Sequence, residues 1–367
     1  MRKTGFTLAG AMLVALFVMA PSVAAAPKVV ADGLFDPRGL ADAPGDRLLV
    51  AQSGSGTITL IRDADGRNPR TSIFAELPDS GLVDVAASGL GRAFAVAGGA
   101  PEAGGGTFGQ LLRVRRGGEP NVLADIAAYQ EGDPDPYDQA DPPFPTESNA
   151  NGLAVLGGGR FLVADAANND LLKVDDGEIT TVARFKPEAV PWPAGVPGPP
   201  PGTPFLAEAV PTAVAVGPDG AWYVSELKGF PFDPGSSRIW RIRRGAEGAT
   251  CDPEQPNTGP CRTVQTGFTS VIDLAFGDDG ELYVLEIAKA GLLAVEEFGA
   301  PPIGGLWRVE DGSKTELEPD ELMAPGGVTV DDENIYVTTG TVFGPGAGAV
   351  VRIDAPDEDR GRGDDDD

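Results

Sequence analysis

The sequence predicts an all-β chain folded as a six-bladed β-propeller of four-stranded blades, closed by its amino-terminal strand. Three observations predict it. A phrase of two short apolar strands, a tight turn between them and a third, alternating strand recurs six times. Glycine and proline, at 51 and 34 residues, supply the turns such a chain needs. A length of 367 residues, at roughly fifty to sixty per repeat, makes one closed ring rather than two or three domains.

The clearest copy runs from Pro211 to Ile242. Ala213-Val214-Ala215-Val216, the turn Gly217-Pro218-Asp219-Gly220 and Trp222-Tyr223-Val224 have the pattern of a tight hairpin. Arg238-Ile239-Trp240-Arg241-Ile242 then alternates as a strand with one buried face does.

In chain order, residues 1–25 read as a secretory signal peptide. Arg2 and Lys3 precede an apolar run from Leu8 to Ala20 and the small residues Ser22-Val23-Ala24-Ala25-Ala26, with cleavage expected after Ala24 or Ala25. The mature chain is therefore expected outside the cytoplasm, secreted or periplasmic, without a membrane span. Residues 26–355 hold the propeller. Lys28 to Leu34 resembles the segments that precede other blades and is expected to supply the fourth strand that the sixth blade lacks.

Blade 1 begins at Pro37-Arg38-Gly39-Leu40, blade 2 at Asp84-Val85, blade 3 at Asn151-Gly152-Leu153, blade 4 at Pro211, blade 5 at Asp273-Leu274 and blade 6 at Gly327-Val328. Outer strands are expected at Thr71 to Leu77, Asn121 to Ala127, Ile179 to Phe185, Arg262 to Phe268 and Lys314 to Leu317. Three insertions interrupt the spacing. Tyr129 to Ser148 carries Asp133, Asp135, Asp138 and Asp141, but prolines alternate with them and no glycine follows, so it reads as a solvated loop rather than a calcium loop. Pro187 to Pro204 is expected to be extended, rigid and packed over the propeller. Residues 356–367 form an acidic tail expected to be disordered.

Cys251 and Cys261 bracket a loop between the third and fourth strands of blade 4, and in an oxidising compartment a disulfide is expected. The loop reads as peripheral, so its loss is expected to leave folding intact. Without residues 1–25 the chain has 26 basic and 55 acidic residues, a balance of −29. Such a chain is repelled by nucleic acid and by anionic membranes. A monomer is expected.

Repeat geometry places two sets of residues around one mouth of the central channel. Arg38, Asp84, Asn151, Thr212, Asp273 and Gly326 precede the first strands, and Gln52, Gly98, Asp165, Glu226, Glu286 and Thr339 follow the second. Five carboxylates (Asp84, Asp165, Glu226, Asp273 and Glu286) thus face Arg38, with Asn151 and Gln52 as neutral donors. Two readings stand side by side. Each acid caps backbone N–H groups of the next blade, or the oxygen-rich ring binds calcium through Asp165, Glu226 and Asp273. With no histidine in the chain, Ser-His-Asp triads, Cys-His dyads and histidine-ligated zinc or copper are excluded. No phosphate-binding loop follows the glycines between Gly98 and Gly109.

The segments LFDPRGL, ESNANGLAVL, FLVADAANNDLLKVD, VPTAVAVGPDGAWYVSELKGFPF and TGFTSVIDLAFGDDGELYVLE together resemble the secreted bacterial ScyD/ScyE family, named from a pigment gene cluster. The likeness spans nearly all of the mature chain, and SELKGFPF is its most specific part. More distantly the blades are similar to NHL-repeat proteins and to calcium-dependent lactonases of the SMP-30/gluconolactonase kind. The nearer resemblance implies the fold and export but no established reaction; beside it, the chain reads as a non-catalytic extracellular binding or scaffold propeller that presents its acidic channel mouth and loops to a small molecule or an extracellular protein. The more distant one implies a calcium-dependent hydrolase with Asp165 or Glu226 as base, from which the chain departs by carrying Arg38 and Gln52 where those lactonases have a glutamate ligand.

Overall fold

The computed structural model describes residues 26–77, 80–99, 108–317, 320–331 and 334–355. The signal-peptide and acidic-tail segments lie outside the described residues, as does most of the glycine run after Gly98. Six four-stranded antiparallel blades stand in a ring.

Blade 1 is β2 (Pro37–Ala43), β3 (Arg47–Gln52), β4 (Thr57–Arg62) and β5 (Arg70–Glu76). Blade 2 is β6 (Leu82–Ala87), β7 (Arg92–Ala97), β8 (Gln110–Arg115) and β9 (Asn121–Asp125). Blade 3 is β10 (Ala150–Gly157), β11 (Arg160–Asp165), β12 (Asp170–Asp175) and β13 (Glu178–Phe185). After the hairpin β14 (Glu188–Pro191) and β15 (Pro204–Ala207), blade 4 is β16 (Pro211–Val216), β17 (Trp222–Glu226), β18 (Ser237–Ile242) and β20 (Cys261–Phe268). Blade 5 is β21 (Val271–Phe276), β22 (Leu282–Glu286), β23 (Gly305–Glu310) and β24 (Ser313–Leu317). Blade 6 is β25 (Val328–Val330), β26 (Asn334–Thr339) and β27 (Gly348–Asp354), completed by β1 (Lys28–Leu34). The amino-terminal strand lies antiparallel on β27, with Lys28 opposite Arg352 and Leu34 opposite Gly348, and Lys28 pairs with Asp354 at 3.3 Å.

Second strands such as Leu48-Leu49-Val50-Ala51 are continuous apolar runs because both faces of a blade are covered. Leu48 and Val50 face blade 6 while Leu49 and Ala51 face blade 2. Six apolar clusters result, one at each junction between neighbouring blades.

Three expectations change. The end of the expected Asn121 to Ala127 strand is the start of a short helix, α1 (Ile126–Gln130), capped by the Asp125 carboxylate on Ala128 N–H at 2.9 Å. The proline-rich insertion is a hairpin rather than one extended segment, because Trp192 and Thr203 bond at the loop end of its ladder and the indole folds over Gly198. The cysteine loop is not peripheral. Its strand β19 (Ala249–Cys251) leaves blade 4 and pairs in parallel with β13, covering the outer edge of blade 3. The Cys251–Cys261 disulfide ties this excursion to β20, and both cysteines are buried with Phe185, Trp240 and Ile242.

Candidate functional site

In every blade but the sixth, the first strand carries a register shift at its start, between Pro37 and Leu40, Leu82 and Asp84, Ala150 and Gly152, Pro211 and Val214, and Val271 and Asp273. Such a bulge re-aims a side chain. Here it turns Arg38, Val83, Asn151, Thr212 and Ile272, with Gly326 completing the ring, toward the axis. These six line a cavity of about 30 Å³, room for one or two water molecules.

Asp84 and Asp273 border this cavity one residue further along. They occupy the repeat position held elsewhere by Gly39, Gly152, Ala213 and Gly327, an offset of one that counting back from the strands in sequence did not resolve. Each carboxylate spans a blade junction. Asp84 accepts from Val85 N–H at 2.7 Å and from Leu153 N–H of blade 3 at 2.9 Å. Asp273 accepts from Leu274 N–H at 2.8 Å and from Val328 N–H of blade 6 at 2.7 Å. Burial pushes the Asp84 carboxyl up to about 7 against the pull of those amides. Burial holds Asp273 well above the usual carboxylate range, with the Asp84 charge adding to it.

Other junctions at the axis are joined in kind. Asn151 Nδ2 donates to Thr212 O, Thr212 Oγ1 donates to Val271 O, and Thr338 Oγ1 donates to Arg38 O. Between blades 1 and 2 the contact is steric, because a Cβ on Gly39 would stand 2.5 Å from Asp84 Cα. Arg38 lines the cavity, but its guanidinium pairs with Asp36 at 3.3 Å rather than with the axial acids.

The acids that end the second strands turn into their own blades. Glu286 accepts from Thr269 N–H, just ahead of β21, and from Trp307 Nε1 on β23 at 2.9 Å. Gln52 does the same in blade 1, accepting from Phe35 N–H at 2.7 Å and donating to Thr59 on β4 at 2.7 Å. Asp165 accepts from Asn149 N–H and Ser148 Oγ, each at 2.7 Å, and from the amides of Ala167 and Asn168. Burial raises the pKa of Asp165 and of Glu286. Glu226 accepts from Trp240 Nε1 and pairs with the buried Lys228 at 3.0 Å and with Arg238 at 3.3 Å. Of the expected calcium ligands, Asp273 borders the axis while Asp165 and Glu226 serve the interiors of blades 3 and 4. Among the described residues no three acidic or cysteine side chains come together as metal ligands.

Sequence reasoning missed the wall around the mouth. Strand alternation brings the connections between blades, and the loops from second to third strands, to the same end as the axial cavity. The acidic loop, the proline-rich hairpin and the connection from β22 to β23 therefore meet there. Asp133 binds Arg184 and Thr181, and the buried Asp135 accepts from Asn169 Nδ2 at 3.0 Å, so these two acids tie the loop to blade 3 while its tip, residues 139–144, is exposed as expected. Gln139 N–H in that loop donates to Glu208 at 2.9 Å. Glu188 on β14 pairs with Lys228 and Arg238, and Trp192, Phe205, Phe230 and Phe232 pack edge to face. Phe298, after α2 (Leu292–Glu296), reaches Gly195 of the hairpin loop. The SELKGFPF segment, Ser225 to Phe232, lies at the centre of this wall.

No protein-family model matches the sequence, and no curated protein does. Solved structures match in fold. The PQQ-bound aldose sugar dehydrogenase of Streptomyces coelicolor is 16% identical with a TM-score of 0.57, over 90% of this chain and 97% of its own. The soluble aldose sugar dehydrogenase of Escherichia coli is 14% identical with a TM-score of 0.54, over 89% and 98%. A protein assigned as a gluconolactonase is 12% identical with a TM-score of 0.52, over 91% and 93%. At these identities the likeness is one of architecture, a ring that hosts unrelated activities.

Proposed function

We propose that this chain is an exported, non-catalytic propeller that binds a protein partner across its mouth face. One observation carries the reading. Thirteen large apolar side chains are exposed among the described residues, and six of them, Phe144, Leu206, Phe298, Met323, Val342 and Phe343, stand on the mouth. Every exposed phenylalanine among the described residues is in that group, and large apolar side chains exposed on one face favour an interaction surface. The axial cavity has space for little more than a water molecule, and its two acids are engaged with backbone amides, which favours binding over turnover. Export is supported by the Cys251–Cys261 disulfide, in keeping with the ScyD/ScyE resemblance.

A photo-cross-linking residue at Phe298 or Phe343, in the producing cells, is expected to give a discrete protein adduct. The same residue at Ile73, exposed on outer strand β5, is expected to give none. Adducts from all three positions, or from none, overturn the reading. Turnover of lactones or esters in the presence of calcium, lost in Asp84→Asn or Asp273→Asn, would establish the calcium-dependent hydrolase instead.

A further inference from the structure

At the end of the ring opposite the mouth, a groove of about 290 Å³ opens between blades 3 and 4. The repeat explains why it opens here. The equivalent cleft between blades 1 and 2 is filled by Leu60 and Phe74 and keeps only about 10 Å³. Leu60 lies opposite Leu49 in its ladder as Lys173 lies opposite Leu162, and Phe74 is the bulged residue of β5 as Val182 is of β13. A lysine and a smaller valine thus stand where the first blade has a leucine and a phenylalanine. Of the two, Lys173 lines the groove and sets a cation at its wall, while Val182 is buried in the core beneath.

The pocket has an apolar floor and a basic rim. Trp222, Val155, Val216 and Ala246 line it, and Arg160 and Arg244 stand exposed at its edge. Lys173 is engaged with Glu247 at 3.9 Å. Among the described residues neither guanidinium has a carboxylate within ion-pair distance, in a chain of formal charge −27. Asp175 is the remaining acid of the lining, so its ionised groups balance at one net positive charge.

We propose that this groove binds a small amphipathic carboxylate, an aromatic or branched apolar acid. Its apolar body lies against Trp222 and the two valines, and its carboxylate bridges Arg160 and Arg244. A volume near 300 Å³ lies at the lower end of small-ligand sites; the lining is mixed, with five apolar side chains and five charged ones, and a guanidinium fork suits a carboxylate. The site is independent of the mouth-face reading, since it uses the other end of the blades and none of the wall.

Calorimetric titration of the intact protein with 1-naphthoate, and with the uncharged 1-naphthalenemethanol, tests the assignment. The acid is expected to bind at one site and the alcohol about tenfold more weakly, and Arg244→Gln or Arg160→Gln is expected to cost the acid about tenfold. Val216→Trp, which fills the groove from an exposed lining position, is expected to abolish binding without lowering Tm. Equal binding of acid and alcohol, binding that survives the filled groove in a folded variant, or no heat from the acid up to about 1 mM would each overturn it. The exposed arginine variants carry the test if the filled variant does not fold.

Discussion

At the scale of single residues, the mouth acids are engaged as structural links, and their substitution is expected to lower stability. Glu226 is fully buried between Lys228, Arg238 and the Trp240 indole, so Glu226→Ala is expected to cost about 3–5 kcal/mol by leaving two buried cations short of their partner. Urea denaturation with and without calcium checks this, and an equal loss in both distinguishes a buried ion pair from a metal ligand. Gly152 makes a second case, since a Cβ there would stand 2.6 Å from Ala213 Cα of the next blade. Gly152→Ala is expected to cost about 1–3 kcal/mol by overpacking, while Gly91→Ala, with open space around it, is expected to be near neutral. The sequence held enough to find these residues, because repeats mark equivalent positions. It did not hold their direction. A one-residue offset between Asp84 and Asn151 is invisible in a string of letters, yet it decides which side chain points to the axis and which crosses to a neighbouring amide.

At the scale of elements, strands were legible because a blade needs little more than a short apolar run and a turn. The hairpin β14–β15, the helix α1 and the crossover strand β19 were not, because each is fixed by contacts with a different blade rather than by its own pattern. The disulfide shows the consequence. Cys251 and Cys261 anchor a strand that spans two blades inside the largest apolar cluster. The double serine variant is therefore expected to lose about 2–4 kcal/mol, with added cost from two buried hydroxyls, read as a lower urea midpoint. Deleting Lys28 to Leu34 is expected to expose the β27 edge, so that the truncated protein melts without cooperativity and aggregates. A melt matching that of the intact protein would refute that role for β1.

At the scale of the whole molecule, burial of acids sets the response to pH. The Asp84 carboxyl binds its proton more tightly in the fold, at about 7, than in the unfolded chain, near 4. Its contribution to stability is therefore fully present below the lower value and is lost as pH rises through the higher one. Asp273, Asp165, Asp170 and Glu286 are shifted in the same direction by burial. Thermal melts are expected to give a Tm that falls as pH is raised from about 5 to 8, with a smaller fall in Asp84→Asn. The closing contact of the ring joins positions 326 residues apart, Lys28 and Asp354. Because a chain is made from its amino end, β1 is the first strand synthesised and must wait for the last. Until β27 exists, β1 has no mate of its own, and the ring closes late and across nearly the whole chain. A strand kept waiting can be donated to the open sixth blade of another copy, so refolding at high concentration is expected to yield strand-exchanged dimers that dilute refolding avoids. Size-exclusion chromatography after refolding at the two concentrations would reveal them.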